Sequence, residues 1–236
     1  MIKIGQFFFK YRDYVFPVVF ISCSLVTKPS FPMGSKTLDL GLDLVGVCLA
    51  IFGQLLRALT VGYEYIKRGG MNKQVFADRL VTGGMFAHSR NPLYLGNFLI
   101  FLGLACVFNS PAVYIIGIPF FVFAYACIIA AEEDFLRHKF GAEYEDYCKR
   151  VNRLWPNWKG YQTTVEGMSY NWKRFINKDH GTLFMWIISV ILLRAWSLQV
   201  VLGAAARSDI VLLSLFLIPL AALYVLVRVL KKSKRL

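Results

Sequence analysis

The sequence predicts an all-α fold, a polytopic transmembrane helix bundle of about six spans with a cytoplasmic amphipathic helix after the fourth. Of 236 residues, 57% are hydrophobic and 16% aromatic, above the roughly 45–50% apolar share of soluble domains. The mean hydropathy is +0.51. Apolar residues also gather into runs near the ~20 residues that a helix needs to cross a bilayer. The length suits one unit, so residues 1–236 are expected to form a single membrane domain.

Lys3, Lys10 and Arg12 precede the apolar run from Phe16 to Val26, a charge-then-apolar order shared with secretory leaders. No small-x-small cleavage site follows, so the run is expected to be a first span, about Asp13–Thr27, and the weakest of the six. The second covers about Leu38–Thr60, the third Pro92–Phe108 and the fourth Pro111–Ala131. Only Asn109 and Ser110 separate the third from the fourth. Pro111 suits a first helical position with Ser110 as its cap, which predicts a tight helical hairpin. The fifth and sixth spans, about Leu183–Leu202 and Ile210–Val229, lie in a C-terminal two-helix extension, 182–236.

A formal charge of +13 would suggest nucleic acid in a soluble protein, but its distribution follows membrane topology and no nucleic-acid partner is expected. With both termini in the cytoplasm, all but Lys28, Lys36, Arg194 and Arg207 of the 27 Lys and Arg fall on the inner side. That asymmetry fixes the expected orientation, and the basic faces would meet anionic membrane lipids. The plasma (inner) membrane and the endoplasmic reticulum fit equally. Cys23, Cys48, Cys106, Cys127 and Cys148 are an odd set without a Cys-x-x-Cys pair, and read as packing residues.

Beyond the fourth span, Leu136, Phe140, Tyr144, Tyr147 and Val151 recur at helical spacing among charges. The span is expected to continue as an amphipathic cytoplasmic helix, supported by Glu133 with Arg137 and ended by Trp155-Pro156. Trp158 to Phe175 mixes Trp and Tyr with Lys and Arg, the composition of an interfacial stretch. The chain shows no internal repeat and no low-complexity tract.

Polar residues gather at the inner ends of the second, third and fourth spans. Gly83-Gly84 and Arg90-Asn91-Pro92-Leu93-Tyr94-Leu95-Gly96 lead into the third, and Glu132-Glu133-Asp134 leave the fourth. Because those spans form a hairpin, their inner ends should be neighbours. Carboxylates at a helix C-terminus oppose its dipole, and charges at a membrane boundary commonly have a partner or a task. Taken singly, the carboxylates also fit a helix that runs on into water, and Arg90 fits a side chain snorkelling to the interface.

Together, Gly-x-Phe-x-x-x-Arg-Asn-Pro-x-Tyr-x-Gly from Gly84 to Gly96, Glu-Glu-x-x-Leu from Glu132 and Phe-Gly-x-x-Tyr-x-x-Tyr from Phe140 resemble the isoprenylcysteine carboxyl methyltransferase and phospholipid methyltransferase superfamily. The resemblance covers roughly Val81 to Pro156 and marks 78–156 as a methyltransferase-like core. It implies S-adenosylmethionine as cofactor in a cytoplasm-facing pocket, with a tunnel to the bilayer for a lipidic or hydrophobic small-molecule acceptor. By position it implies that Asp78, Arg79, Leu80 and Val81 line the approach and contact the cofactor. It further implies cofactor contacts from Phe86, Asn91, Pro92, Leu93, Tyr94 and Glu132, with Arg90 and Glu132 as the catalytic pair.

These roles also make physical sense. Aromatic faces such as Phe86 and Tyr94 hold a sulfonium cation, worth about 0.5–2 kcal/mol each, and Glu132 adds a carboxylate. Arg90 could anchor the methionine carboxylate or orient Glu132. In-line methyl transfer needs alignment in a water-poor pocket more than covalent help.

Three positions depart from the family pattern. Phe86 stands where a tyrosine is usual, Asn91 replaces a histidine, and Ile128 occupies the place of an arginine that in prenylcysteine methyltransferases faces the substrate carboxylate. Acceptors without a carboxylate, such as a lipid amine, a thiol or another hydrophobic nucleophile, are equally compatible. The C-terminal extension exceeds the compact family core, and is expected to shape the acceptor tunnel or a homo-oligomer surface.

His88, His138 and His180 lack metal-ligand spacing. Arg194, within the fifth span, needs water, a carboxylate or a head group, and Asp39 and Asp43 suit a helix start by their charge. Two other classes compete with the methyltransferase reading. A related-fold membrane reductase using NADPH would need a phosphate site, and no Gly-x-Gly-x-x-Gly turn is present. A non-enzymatic scaffold or small transporter would place its polar groups near the midplane.

Overall fold

The computed structural model describes residues 1–64 and 75–233. Part of the inner-side charge, Lys67, Arg68 and Lys73 in the second loop and Lys234 and Arg235 in the tail, lies outside them. Among the described residues there is no strand, and the chain runs as α1 (Ile2–Val26), α2 (Lys36–Tyr63), α3 (Pro92–Phe108), α4 (Ile118–Phe140), α5 (Ala142–Arg150), α6 (Tyr161–Val165), α7 (Trp172–Leu202), α8 (Arg207–Leu215) and α9 (Leu217–Lys232).

Local chemistry sets these boundaries. The Ser35 hydroxyl accepts from Leu38 N at 3.4 Å to start α2, and Asn171 accepts from Arg174 N at 2.7 Å to start α7. Pro92 opens α3, which ends at Asn109 in a left-handed conformation. The expected cap at Ser110 is instead supplied from outside the hairpin. Thr27 Oγ1 accepts from Ala112 N at 3.0 Å, while the Ser110 hydroxyl donates to the Thr27 carbonyl at 3.2 Å. A π-helical turn, Val113–Gly117, then runs into α4.

The amphipathic helix after the fourth span is not one continuous rod. Gly141, at φ +53°, breaks it between α4 and α5, and α5 stops at Arg150 because Val151 is already extended, before Trp155-Pro156 is reached. The stretch from Trp158 to Phe175 is divided between α6 and the start of α7.

Among the described residues, three helical segments are long and apolar enough to cross a membrane, namely Lys36–Tyr63, Val113–Phe140 and the run Trp172–Lys232. The protein is an integral membrane protein, and the six-span expectation is reduced on this measure. α1 begins at Ile2, well before Asp13, and its first half carries Lys3, Lys10, Arg12 and Asp13. α3 is apolar but has 17 residues, about 26 Å of helix.

Backbones approach closely between α2 and α3. A Cβ on Gly53 would lie 2.5 Å from the Gly96 carbonyl, and one on Gly46 would lie 2.6 Å from that of Gly103. Small residues at these levels let the two helices pack without intervening side chains. α1 lies on α4 through Phe8 and Phe9 against Ala124, Cys127 and Ile128, and Phe101 of α3 stacks on Phe121 of α4 with centroids 3.7 Å apart. All five cysteines are free. Cys23 and Cys127 are buried, and Cys48 is exposed.

Three ion pairs in two clusters join α2 to α7. Arg57, near the inner end of the second expected span, is 3% exposed and pairs with the fully buried Asp179, while Gln54 Nε2 donates to the same carboxylate at 2.8 Å. At the other end Arg194 pairs with Asp39 and, at 3.0 Å, with Asp43. The two aspartates thus serve as partners to a charge, beyond complementing the helix dipole. Arg174 of α7 donates to the Val61 and Gly62 carbonyls at 2.8 and 2.5 Å, capping α2. α9 folds back along α7, with Tyr224 against Phe184 and Lys231 Nζ on the Asn177 carbonyl at 2.8 Å.

Removing one member of the buried pair leaves a charge stranded. Arg57→Leu is expected to cost about 3–5 kcal/mol, and Arg57→Met with Asp179→Leu much less. Unfolding temperatures in detergent check this, and equal losses in the single and double variants would contradict it.

Candidate active site

The segment before α3 is held by the chain that follows α5. Arg90 N donates to the Asn152 carbonyl at 2.9 Å and Asn157 N to the His88 carbonyl at 2.9 Å. The Ser89 hydroxyl reaches the Leu154 carbonyl at 2.7 Å and Asn91 Nδ2 the Arg153 carbonyl at 2.9 Å. His88 bridges the Asn157 carbonyl and, at 2.9 Å, the Thr164 hydroxyl. The Tyr147 hydroxyl closes the set by donating to the Phe86 carbonyl at 2.6 Å. Phe86 to Asn91 is therefore fixed before any ligand arrives.

This clamp brings α3 and α4 together at one end of the bundle. The Tyr94 hydroxyl donates to Glu132 Oε1 at 2.7 Å, and Arg12 Nη1 approaches the same hydroxyl at 3.4 Å. Glu133 lies between Arg90, at 3.4 Å, and Arg153, at 2.9 Å. The expected Glu133–Arg137 support is thus replaced by two longer-range pairs, and Arg90 orients Glu133 rather than Glu132. Arg90 Nε is buried with no hydrogen-bond partner among the described residues.

Around these groups is a cavity of about 530 Å³, inside the 300–1,000 Å³ range of small-molecule sites. Of the expected site residues, Arg79, Leu80, Val81, Phe86, Arg90, Asn91, Pro92, Leu93, Tyr94 and Glu132 all line it. Asp78 does not, and Arg79 is turned toward Glu64, with a 2.8 Å ion pair. The Asn91 amide is already engaged by the Arg153 carbonyl, so its side chain braces the wall.

The structure adds lining residues that were not singled out as site candidates, among them Arg12, Arg57, Tyr144, Tyr147, Lys178 and Lys231. The two tyrosines were visible as helical spacing, and that signal reads equally as core. Burial pushes both phenols above their ordinary pKa, more strongly than neighbouring Arg90 lowers them. Both therefore remain neutral hydroxyls at physiological pH. No group of His, Cys, Asp and Glu suited to a metal ion occurs among the described residues.

The phospholipid methyltransferase family matches residues 42–143, which include Arg90, Tyr94, Glu132 and Glu133. Over these residues the chain resembles the isoprenylcysteine carboxyl methyltransferase and phospholipid methyltransferase superfamily. It is 32% identical over 147 residues to the cobalt-zinc-cadmium resistance protein CzcN of Cupriavidus metallidurans, covering 61% of this chain and 62% of that protein. Human protein-S-isoprenylcysteine O-methyltransferase is 30% identical over 129 residues, 52% of this chain and 44% of the human one. The chain thus spans under two thirds of the length of these relatives. No solved structure gives a significant match.

The Arg90–Glu133 pair joins two motif segments that lie inside the matched residues. A double-mutant cycle of Arg90→Ala and Glu133→Ala, read by thermal unfolding, is expected to give a coupling of about 1–3 kcal/mol. Simple additivity would show that the two side chains act separately.

Proposed function

We propose that this chain is an integral membrane S-adenosylmethionine-dependent methyltransferase acting on a lipidic or hydrophobic acceptor at the cytoplasmic face. The observation that carries the reading is the Tyr94–Glu132 hydrogen bond on the wall of a cavity shared by the motif ends of α3 and α4. The basic distribution of the sequence supports the inward orientation.

The residues present suit this cofactor. Glu132 offers a carboxylate to a cation, and Tyr94 uses only one of its two oxygens as acceptor. Phe86, Tyr94, Tyr144 and Tyr147 supply aromatic surface on the same wall. The orphaned Arg90 Nε–H is a donor in search of an acceptor, and an amino-acid carboxylate satisfies it. S-adenosylmethionine supplies a methyl group whose bonding electrons stay on sulfur as an acceptor lone pair forms the new bond.

The protein's own part is positioning. Tyr94 fixes the direction of Glu132, Glu133 and Arg153 fix Arg90, and the clamp from residues 152–157 keeps the wall rigid. Such preorganisation aligns two reactants at little cost at the moment of reaction. Apolar Leu80, Val81 and Leu93 in the lining keep that region poor in water.

Saturating S-adenosylhomocysteine should stabilise the purified protein by about 2.7 kcal/mol at a hundredfold excess over Kd. Glu132→Gln should abolish the shift while leaving the unliganded unfolding temperature close to wild type. Absence of a shift in wild type at saturation would overturn the reading.

A further inference from the structure

Glu133 is met by two guanidinium groups, those of Arg90 and Arg153 at 3.4 and 2.9 Å. Glu132, its neighbour in the same cavity lining, makes no direct ion pair among the described residues. Its link to a cation runs through Tyr94, whose hydroxyl stands 2.7 Å from Glu132 Oε1 and 3.4 Å from Arg12 Nη1. The sense of these two bonds is fixed. A guanidinium has donors and no acceptor, so the Tyr94 oxygen accepts from Arg12 and its single hydrogen is left for Glu132.

The charge of Arg12 is otherwise weakly held. Among the described residues its ion pair is with the adjacent Asp13, at 3.9 Å and to a carboxylate 87% exposed, where solvent screens most of the attraction. The guanidinium carbon lies 4.6 Å from the centre of the Phe9 ring, three residues earlier on α1, which sets the course of the side chain. Gly5 seats the helix itself. A Cβ there would fall 2.0 Å from the Cys127 carbonyl oxygen and 2.8 Å from Ala131 Cβ, so only glycine lets α1 lie this close to the end of α4 that carries Glu132. Since α1 precedes the matched residues 42–143, this cation comes from outside the matched core.

We propose that Arg12 is a positioning residue of the active site, acting through the Tyr94 hydroxyl to hold Glu132 in the orientation that receives the cofactor. The inference rests on the methyltransferase reading, and adds α1 to the helices that build the site. In a run of cation, hydroxyl and carboxylate each hydrogen bond polarises the next in the same sense, so Arg12 strengthens a contact it does not itself make. Without it the phenol can turn its hydrogen elsewhere, and Glu132 is free to leave the wall.

Calorimetric titration with S-adenosylhomocysteine, on purified protein in detergent, tests this in wild type, Arg12→Met, Arg12→Lys, Tyr94→Phe and the double variant Arg12→Met with Tyr94→Phe. Methionine keeps a stem over Phe9, lysine keeps charge and donors, and phenylalanine removes the hydroxyl alone. Arg12→Met and Tyr94→Phe are each expected to weaken binding about fivefold, the scale of one hydrogen bond, and the double variant no further than either. Arg12→Lys should recover most of the loss. Should Arg12→Met not fold, Arg12→Gln takes its place in the same cycle. A side chain that merely seats α1 would cost the same affinity with or without the Tyr94 hydroxyl, so additive losses would overturn the proposal. Unchanged affinity in Arg12→Met, complete loss of binding in Tyr94→Phe, or a lysine variant no better than methionine would overturn it equally. No binding to wild type refutes the cofactor reading and the positioning role with it, whereas wild-type binding indifferent to Arg12 refutes the positioning role alone.

Discussion

The buried Arg57–Asp179 pair is the constraint from which the rest of the arrangement follows. A charge in a helix long and apolar enough to cross a membrane is tolerated only with a partner, and Arg57 has that partner on α7, 122 residues away. Asn97 of α3 and Thr182 of α7 accept further hydrogen bonds from the same guanidinium. One side chain therefore joins three helices at the level of the cavity. Gly96 allows it, because a Cβ there would stand 2.6 Å from Arg57 Cγ.

Its counterpart at the far end of the same helix pair, Arg194 with Asp39 and Asp43, reverses the order of charge. α2 offers acid first and base last, and α7 does the same while running the other way. The charged residues are 18 apart on α2 and 15 apart on α7, about 27 and 22 Å of helix. Two pairs at such separation fix both register and direction. With α7 locked, α9 returns beside it and brings Lys231 to the same end as Glu132 and Arg90.

Much of this was legible in the sequence because membranes simplify the grammar. Long apolar runs separated by charge become helices, and two residues between Phe108 and Pro111 leave room only for a hairpin. Hence the meeting of Arg90–Gly96 with Glu132–Glu133 followed from local spacing. Partners determined by packing were not legible. The partner of Arg57 has no local signal, because its carboxylate lies on a helix distant in sequence. Glu133 looked like the partner of Arg137 because helical spacing is visible and the return of Arg153 is not. Thr27 capping the fourth helical segment and Arg12 reaching Tyr94 likewise depend on where α1 lies, which no short pattern encodes.

At the motif ends of α3 and α4, an acidic and aromatic wall from the matched core faces cations contributed by α1, α7 and α9. That division suits two reactants of different origin, one from water and one from the bilayer. The most direct measurement is transfer of label from methyl-tritiated S-adenosylmethionine into extractable lipid, in membranes containing the wild-type chain or Glu132→Gln. Label should enter the lipid fraction with wild type and fall to the level of membranes lacking the chain with Glu132→Gln. Equal labelling by both, or none with wild type, would contradict a lipid methyltransferase centred on Glu132.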